Sequence, residues 1–280
     1  MFENLFSLKG KVALVNGASK EMGSAVAYAL AEYGADVAVT ARSADQLAAV
    51  AARIQSMGRK GLAIPMDLTR FSEFPALMDR VVNELGGLDI MVNVHGGGEG
   101  DFKNFGPFMR TTEDKWDYMV NINLKSQAFL CLAAANVMKN RGGGRIINVS
   151  SASVNGPSIF ESIYGAAKAG LEHLSRTLSV EWARYEIRVN VVTPGLINTA
   201  NGTNLAFATP QAEAALRNSM PLGRIGEGSD IAAAVLFFAS PASEWVTGTR
   251  IVVDGGAPDS RGIFETHHKG PIVGARKPKP

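Results

Sequence analysis

The stretch Asn16-Gly17-Ala18-Ser19-Lys20-Glu21-Met22-Gly23 decides how this sequence is read. It follows an apolar run over residues 11–15 and leads into an alanine-rich segment with helical spacing over residues 24–33. A strand, a glycine turn and the beginning of a helix form an anion site, because unpaired backbone N–H groups and the helix dipole point to one place. The sequence therefore predicts a phosphate-binding turn here.

The alternation of an apolar run with a helical segment continues along the chain. Continuous apolar strands that alternate with amphipathic helices are typical of a parallel sheet covered on both faces. We predict one α/β domain over residues 1–256, a doubly wound sheet of about seven parallel strands with helices on both faces. The predicted strands are 11–16, 36–41, 61–66, 89–94, 145–150, 188–193 and 250–253, and the predicted helices are 23–33, 44–57, 72–85, 112–139, 161–185 and 228–239.

Composition limits the classes of function. A chain of 280 residues, 46% of them hydrophobic, can bury roughly three-quarters of its unfolded surface in one domain. A net charge of +2 argues against a nucleic acid partner. The single cysteine, Cys131, excludes internal disulfides and predicts a buried thiol and no metal cluster. No signal sequence or long apolar run is evident, so we predict a cytoplasmic protein without a membrane partner.

The C-terminal tail, residues 257–280, has a different composition from the rest. It is rich in Gly, Pro, Lys and Arg and has neither helical nor strand periodicity. We predict that the tail is disordered or packs at a subunit interface. His267-His268 is interpreted as part of the tail and not as a metal pair.

Tyr164 and Lys168 form the first candidate catalytic pair. Their spacing of four places both side chains on one face of a predicted helix. A cation about 4 Å from a tyrosine, at an effective dielectric near 20, contributes on the order of 4 kcal/mol and lowers the tyrosine pKa by up to ~3 units. That direction suits a group that donates and accepts a proton near pH 7. Such pairs also occur by chance on amphipathic helices, so the interpretation depends on its surroundings.

Four further motifs supply those surroundings. Ser151 follows the predicted fifth strand, thirteen residues before Tyr164, and Asn123 lies inside a long predicted helix. Residues 193–199 read Thr-Pro-Gly-Leu-Ile-Asn-Thr after the sixth strand, and residues 248–256 read Gly-Thr-Arg-Ile-Val-Val-Asp-Gly-Gly. In a doubly wound sheet, ligands bind beyond the carboxyl ends of the strands, which is where most of these motifs are predicted to lie.

With these motifs in order, the chain from about Phe6 to Gly256 resembles the short-chain dehydrogenase/reductase family in its compact single-domain form. The resemblance implies a Rossmann-like sheet, a nicotinamide cofactor, and an oxidoreductase that interconverts a carbonyl and a secondary alcohol. It implies that Tyr164 is the general acid/base. It also implies that Lys168 lowers the Tyr164 pKa and binds the nicotinamide ribose, and that Ser151 holds and polarises the substrate carbonyl.

Further roles follow from the same resemblance. Asn123 is expected to hold a water that links Lys168 to solvent; packing at a helix kink is the alternative, and Asn121 is a less well aligned competitor. Thr199 is expected to contact the nicotinamide carboxamide. Asp67 is expected to meet the adenine, or instead to cap a loop. The cofactor-binding set is Gly17, Ser19, Lys20, Met22, Gly23, Arg42, Asp67, Leu68, Asn93, Gly96, Tyr164, Lys168, Pro194, Gly195, Ile197 and Thr199.

Two stretches depart from the family pattern. Glu21 stands where the second glycine of the turn is usual, and Asn93-Val94-His95-Gly96 stands where N-N-A-G is usual. A carboxylate roughly 6 Å from a diphosphate costs about 2–3 kcal/mol at an effective dielectric near 20. If position 21 needs a positive φ, roughly 1–2 kcal/mol of backbone strain is added. We therefore expect Glu21 to turn outward.

Two cations favour NADP(H) as the cofactor, with NAD(H) as the alternative. Lys20 lies just before the middle of the turn, and Arg42 follows the second strand, the positions from which basic residues of the family reach the 2′-phosphate. Ala41 stands where members that prefer NAD have an acid. If Lys20 and Arg42 are only solvated surface charges, this preference is lost.

The substrate is predicted to be an apolar small molecule. Phe102, Phe105 and Phe108 follow the glycine-rich loop after the fourth strand, where they either wall the substrate site or merely pin the loop. The region 205–207, Leu-Ala-Phe, follows Thr199. A nucleotide-binding regulatory protein without turnover is the alternative function, motivated by Glu21 and the altered 93–96 stretch. The apolar faces of the helices at 112–139 and 161–185 predict a homodimer or homotetramer.

Overall fold

The computed structural model describes residues 4–97, 104–199 and 210–257. In this part of the chain seven strands form one parallel sheet in the order β3-β2-β1-β4-β5-β6-β7. The order reverses direction between β1 and β4, as expected for a doubly wound sheet. The strands are β1 Val12–Asn16, β2 Asp36–Ala41, β3 Gly61–Pro65, β4 Ile90–Asn93, β5 Gly144–Val149, β6 Ile187–Pro194 and β7 Arg250–Val253.

Helices cover both faces of the sheet. They are α1 Glu21–Glu32, α2 Ala44–Ser56, α3 Phe74–Leu85, α4 Glu113–Val120, α5 Ser126–Met138, α6 Ser162–Glu181, α7 Pro210–Ser219 and α8 Gly228–Ala239. The fold class predicted from the alternation of apolar and helical segments is confirmed. No helix of the described ranges is long and apolar enough to cross a membrane.

Alternate residues of each strand enter different cores. On β1, Ala13 and Val15 pack in a core with the apolar sides of α1, α2 and α8. Val12 and Leu14, which point to the opposite face, pack in a second core with α3 and α5. This division follows from the two-residue period of a strand, and it explains why β1 is apolar at every position.

The long helix predicted over 112–139 is wrong as a single element. The chain forms α4, then a π-helical turn over Asn121–Lys125, then α5. The predicted helix over 161–185 ends at Glu181 and is followed by a 3-10 turn over Ala183–Tyr185. Helix α7 was not predicted. Its sequence, PQAEAALRNS, contains a proline at the first position and good helix formers, but few apolar residues that repeat with a helical period.

Candidate active site at the carboxyl edge of the sheet

The glycine turn after β1 is closed by contacts that only glycines permit. Gly17 has φ +85°, and a methyl group built there would lie 2.7 Å from the backbone nitrogen of His95. A methyl group built at Gly23 would collide with the carbonyl oxygen of Gly17. The turn therefore brings the first residues of α1 close to the ends of β1 and β4, at the edge where the strand order reverses.

Lys20 and Glu21 lie at the beginning of α1. Lys20 has extended backbone and is the N-cap residue, and no side-chain hydrogen bond caps the helix. Glu21 is the first helical residue and is exposed, as expected. Among the described residues other than glycine, only Phe160 and Glu186 have positive φ, so position 21 needs no positive φ and the conditional strain at Glu21 does not arise. A carboxylate in the first turn instead interacts favourably with the helix dipole.

The uncapped N-terminus, the tight glycine turn and the neighbouring cation fit the diphosphate of a dinucleotide. Around it, Ser19 and Met22 are half-buried, and Leu68 is buried. Arg42 is exposed just after β2.

Asp67 is engaged in its own loop. Its Oδ1 accepts hydrogen bonds from the Thr69 backbone N–H at 2.9 Å and the Thr69 hydroxyl at 2.8 Å. The backbone hydrogen bond from Thr69 is the main cause that lowers the pKa of Asp67, and the positive charge of Arg42 contributes. One oxygen of the Asp67 carboxylate therefore caps its own loop, as the alternative interpretation of Asp67 expects.

The structure brings Tyr164 and Ser151 together. The Ser151 hydroxyl lies close enough to the Tyr164 phenol to act on its pKa. The Ser153 backbone N–H donates to Ser151 Oγ at 3.2 Å. Because one lone pair of Ser151 is occupied in this way, its O–H is left to donate towards the phenol or a carbonyl oxygen placed between them.

The electrostatics at Tyr164 differ from the expectation. Burial raises the pKa of Tyr164 above its usual value, the carboxylate of Glu161 adds to the rise, and the hydrogen bond with Ser151 opposes it. The predicted lowering by Lys168 is wrong in this arrangement. Lys168 Nζ donates to the Val149 carbonyl at 2.8 Å and lies 6.0 Å from the centre of the Tyr164 ring. Burial also lowers the pKa of Lys168 to about 7, which weakens its charge near neutral pH.

Lys168, Asn123 and Gly96 meet at one point. Lys168 is only 2% exposed and Asn123 is fully buried. A methyl group built at Gly96 would lie 2.7 Å from Asn123 Oδ1 and 2.9 Å from Lys168 Nζ. Glycine at position 96 therefore leaves the space that both side chains use.

Asn123 lies in the π-helical turn and connects it to the loop after β4. Its amide donates to the Met119 carbonyl at 2.9 Å and the Gly97 carbonyl at 3.1 Å, and its Oδ1 accepts from the Gly97 N–H at 2.7 Å. Single π-helical turns often occur at functional sites. Both interpretations of Asn123 thus have a structural basis, since it packs at the helix irregularity and lies beside Lys168.

Asn93 belongs to a buried chain of side-chain hydrogen bonds. Its Oδ1 accepts from Asn16 at 2.8 Å, and its amide donates to Asn148 Oδ1 at 2.8 Å. The chain extends to Thr40 through Asn16 and to Ser175 through Asn148. This network fixes the ends of four strands against α6. The Asn93 side chain therefore acts inside the protein, behind the proposed cofactor surface.

His95 fills the interior beside this network, although an alanine is usual in the family pattern. Its Nε2 lies 2.9 Å from Ser126 Oγ, and its Nδ1 is buried with no hydrogen-bond partner in the described ranges. Burial lowers the pKa of His95 to about 3, and Lys168 contributes, so the imidazole is neutral. The altered stretch therefore still forms the tight contact between the Gly17 turn and β4.

The last predicted cofactor residues follow β6. Pro194 is buried at the end of the strand, and a methyl group at Gly195 would lie 2.6 Å from the Cα of Asp254. Ile197 is buried and pairs with Gly226 in an isolated bridge. Thr199 is half-buried at the edge of the described residues.

Phe105 and Phe108 have different surroundings. The Phe105 ring packs edge-on against Tyr164, with centroids 5.5 Å apart, whereas Phe108 is 56% exposed and packs on Trp116. One aromatic thus borders the candidate site and the other holds its loop. Phe102, the region 205–207 and the tail beyond Ala257 lie outside the described residues.

Sequence reasoning missed Glu161. It lies three residues before Tyr164, is half-buried, and its Oε2 accepts a hydrogen bond from the Ser158 hydroxyl at 2.5 Å. Burial raises the pKa of Glu161, and the hydrogen bond from Ser158 opposes that rise. Glu161 is the N-cap residue of α6, and its place at the start of the predicted helix, three residues before Tyr164, was the available signal.

Comparison with known proteins agrees with this geometry. A family model described as enoyl-(acyl carrier protein) reductase matches residues 17–258. The 2-dehydro-3-deoxy-D-gluconate 5-dehydrogenase of Escherichia coli strain K12 is 36% identical over 262 residues, which cover 91% of this chain and 98% of that protein. A short-chain dehydrogenase/reductase of Aspergillus oryzae is 36% identical over 266 residues, which cover 91% and 97%.

A solved structure is also similar to this chain over most of the length of both. A 7α-hydroxysteroid dehydrogenase complexed with NADH and 7-oxo glycochenodeoxycholic acid matches with a TM-score of 0.85 and 33% identity, over 91% of this chain and 98% of that chain. The shared sheet, the coverage and the identities lead to one conclusion. The chain belongs to the short-chain dehydrogenase/reductase family and is an oxidoreductase that uses a nicotinamide cofactor to interconvert carbonyl and alcohol groups.

Proposed function

We propose that the protein reduces a carbonyl group to a secondary alcohol with NADPH. The observation that supports this proposal most directly is the position of the buried Tyr164 phenol beside the Ser151 hydroxyl, where burial keeps the pKa of Tyr164 above its usual value. A phenol with a raised pKa is protonated at neutral pH, and a protonated phenol is the form that gives a proton to the oxygen of a reduced carbonyl. The nicotinamide, when bound, supplies the hydride.

Each catalytic side chain has a distinct task in this proposal. Ser151 donates its O–H to the substrate carbonyl oxygen and stabilises the charge that develops there. Tyr164, whose phenol lies beside the Ser151 hydroxyl, donates its proton to the same oxygen. Lys168, held at the Val149 carbonyl and beside Asn123, replaces the proton that Tyr164 loses and contacts the nicotinamide ribose. Asn123 holds the water through which Lys168 exchanges protons with solvent.

The preference for NADP(H) rests on Lys20 and Arg42. Both are exposed, one at the N-cap of α1 and the other at the end of β2, on either side of the predicted adenosine ribose. The Ala41 side chain is buried and offers no carboxylate to a ribose 2′-OH. The ammonium group of Lys20 and the guanidinium group of Arg42 would make charge-assisted hydrogen bonds with a 2′-phosphate, and these are stronger than hydrogen bonds with the 2′-hydroxyl of NAD(H).

Cofactor affinity tests this proposal without a known substrate. NADPH should bind at least tenfold more tightly than NADH, and Lys20→Ala with Arg42→Ala should remove most of that difference while NADH affinity changes less than twofold. Arg53→Ala, which replaces an arginine that packs over the Tyr28 ring away from this edge, is the control. Tighter binding of NADH by the wild-type protein would contradict the proposal. It would favour the NAD-linked alternative, which the NADH-complexed 7α-hydroxysteroid dehydrogenase supports.

Aromatic and exposed apolar side chains support further proposals about the substrate and the assembly of the protein. Phe105, packed on Tyr164, supports a substrate with an apolar face. Exposed apolar side chains on α5 and α6, among them Phe129, Leu132 and Val180, support a homodimer or homotetramer. A cytoplasmic location accords with a single cysteine, which is buried and reduced.

A further inference from the structure

The segment over residues 152–161 connects the two hydroxyl groups that act on the carbonyl. The segment begins after Ser151 and returns to the side of Tyr164, since Ser153 lies beside Gly165 and the Gly106 N–H next to Phe105, which packs on Tyr164, donates to Phe160. Both ends of the segment therefore lie next to residues of the candidate catalytic site. None of the segment's side chains has a task in the catalytic mechanism above.

Two polar groups of this segment are buried without partners. Ser153 is only 5% exposed, and its Oγ has no hydrogen-bond partner within the described ranges; the same holds for the buried Oδ1 of Asn155. Ser153 Oγ lies 3.9 Å from a methyl group built at Gly165, the residue after Tyr164. Buried polar groups in native proteins are almost always paired with protein or ordered water, so these two atoms have hydrogen-bonding capacity that a bound ligand or water would use.

The end of the segment holds a carboxylate in place. The Gly106 N–H donates to the Phe160 carbonyl at 2.9 Å, and Phe160 has φ +70°. A bulky residue with positive φ is an outlier that persists only where the surroundings impose it, and such residues cluster at functional sites. The next residue is Glu161, which accepts from Ser158 and acts electrostatically on Tyr164.

We propose that Glu161, Asn155 and Ser153 recognise a hydroxyl group on the carbon next to the reacting carbonyl, so that the preferred substrates are α-hydroxy ketones and the corresponding vicinal diols. The inference rests on the proposed carbonyl reduction and refines its substrate class. A substrate hydroxyl can donate a hydrogen bond to the Glu161 carboxylate or to Asn155 Oδ1, and it can accept one from the Ser153 hydroxyl. A carboxylate next to the carbonyl is disfavoured because Glu161 repels it.

Matched substrate pairs test the inference. Reduction of 2-hydroxycyclohexanone is compared with reduction of cyclohexanone, with NADPH, in the wild-type protein and in Glu161→Met, Glu161→Gln and Ser162→Ala. Ser162 is exposed and adjacent, so its variant is the matched control. The wild-type kcat/KM should favour the hydroxy ketone by about tenfold to a hundredfold, which is what one hydrogen bond to a charged group provides. Glu161→Met should remove that preference, Glu161→Gln should lower it in part, and Ser162→Ala should leave it unchanged.

A binding measurement keeps the inference testable if Glu161→Met folds poorly. Calorimetric titration of the wild-type protein with NADP⁺ should give a tighter complex with trans-cyclohexane-1,2-diol than with cyclohexanol. Equal affinities for the diol and for cyclohexanol overturn the inference, as does an equal kcat/KM for both ketones. Absence of NADPH oxidation with any ketone overturns the proposed function as well, whereas turnover without a preference overturns the inference alone.

Discussion

Two neighbouring glycines, Gly96 and Gly97, separate the effect of backbone strain from the effect of space. Their φ angles are +147° and +100°, so alanine is strained at both positions. A methyl group at Gly96 would meet Asn123 and Lys168, whereas no atom of the described ranges lies within 4 Å of one at Gly97. We expect both Gly→Ala variants to lose roughly 1–2 kcal/mol of unfolding free energy. Only Gly96→Ala should also lower kcat, by about tenfold or more, since it displaces Lys168; denaturant unfolding and steady-state kinetics measure the two effects.

The charge of Glu161 should be visible in the pH dependence of turnover. Ionised Glu161 raises the pKa of Tyr164, so Glu161→Gln should lower that pKa. In alcohol oxidation the deprotonated phenol is the active form, and the rise of rate with pH should therefore move to lower pH in the variant. Lys168 titrates in the same site, so the comparison is made between the two proteins and not with an absolute pKa. A shift to higher pH would contradict the assigned electrostatics.

Sequence reasoning at this scale succeeded where spacing along one element was enough. Tyr164 and Lys168 are one helical turn apart, and the segment after Ser151 returns to Tyr164, as the family pattern implies. It failed where long-range burial decides the chemistry. The direction of the Tyr164 pKa shift depends on the packing around the phenol and on where Lys168 Nζ finds its acceptor, the carbonyl of Val149. The spacing of residues along the sequence predicts neither the packing around the phenol nor the acceptor of Lys168 Nζ.

The π-helical turn between α4 and α5 should depend on Asn123. Its side chain makes three hydrogen bonds of 3.1 Å or less, with Met119 and Gly97. We expect Asn123→Ala to cost about 2–4 kcal/mol of unfolding free energy, because buried partners lose their hydrogen bonds. Asn121→Ala, in the same turn but half-buried, should cost less than about 1 kcal/mol. Urea denaturation of both variants shows which asparagine stabilises the π-helical turn. A larger loss of unfolding free energy in Asn121→Ala would contradict the assignment to Asn123.

Most elements were predictable because one local signal dominates each of them. All seven strands lie within one residue of their predicted boundaries, since each is a continuous apolar run in a sheet covered on both faces. The interruption at 121–125 was not predictable, because the residues around it are periodic and Asn123 meets Gly97 only in the folded chain. Helix α7 was missed because its composition, and not its periodicity, favours a helix.

The surface of the whole molecule leads to a prediction about assembly. Leu132 is 48% exposed on α5, close along the helix to Phe129, which is 45% exposed and stacks on Phe71. If this helix lies in a subunit interface, Leu132→Glu places a carboxylate in an apolar contact and should shift the protein towards monomers. Ala52→Glu, which places the same charge on an exposed position of α2, should leave the assembly unchanged. Light scattering at micromolar concentration measures both, and a monomeric wild-type protein would contradict the proposal.

The assignment of Tyr164 as the proton donor is tested most directly by Tyr164→Phe, which removes the phenolic oxygen and keeps the ring that packs against Phe105. NADPH-dependent reduction of a ketone panel is measured for both proteins, together with NADPH affinity. We expect kcat/KM to fall by roughly 10²–10⁴, the contribution of a positioned proton donor, while NADPH affinity changes less than about threefold. Full activity in Tyr164→Phe would show that the proton comes from elsewhere and would contradict the account.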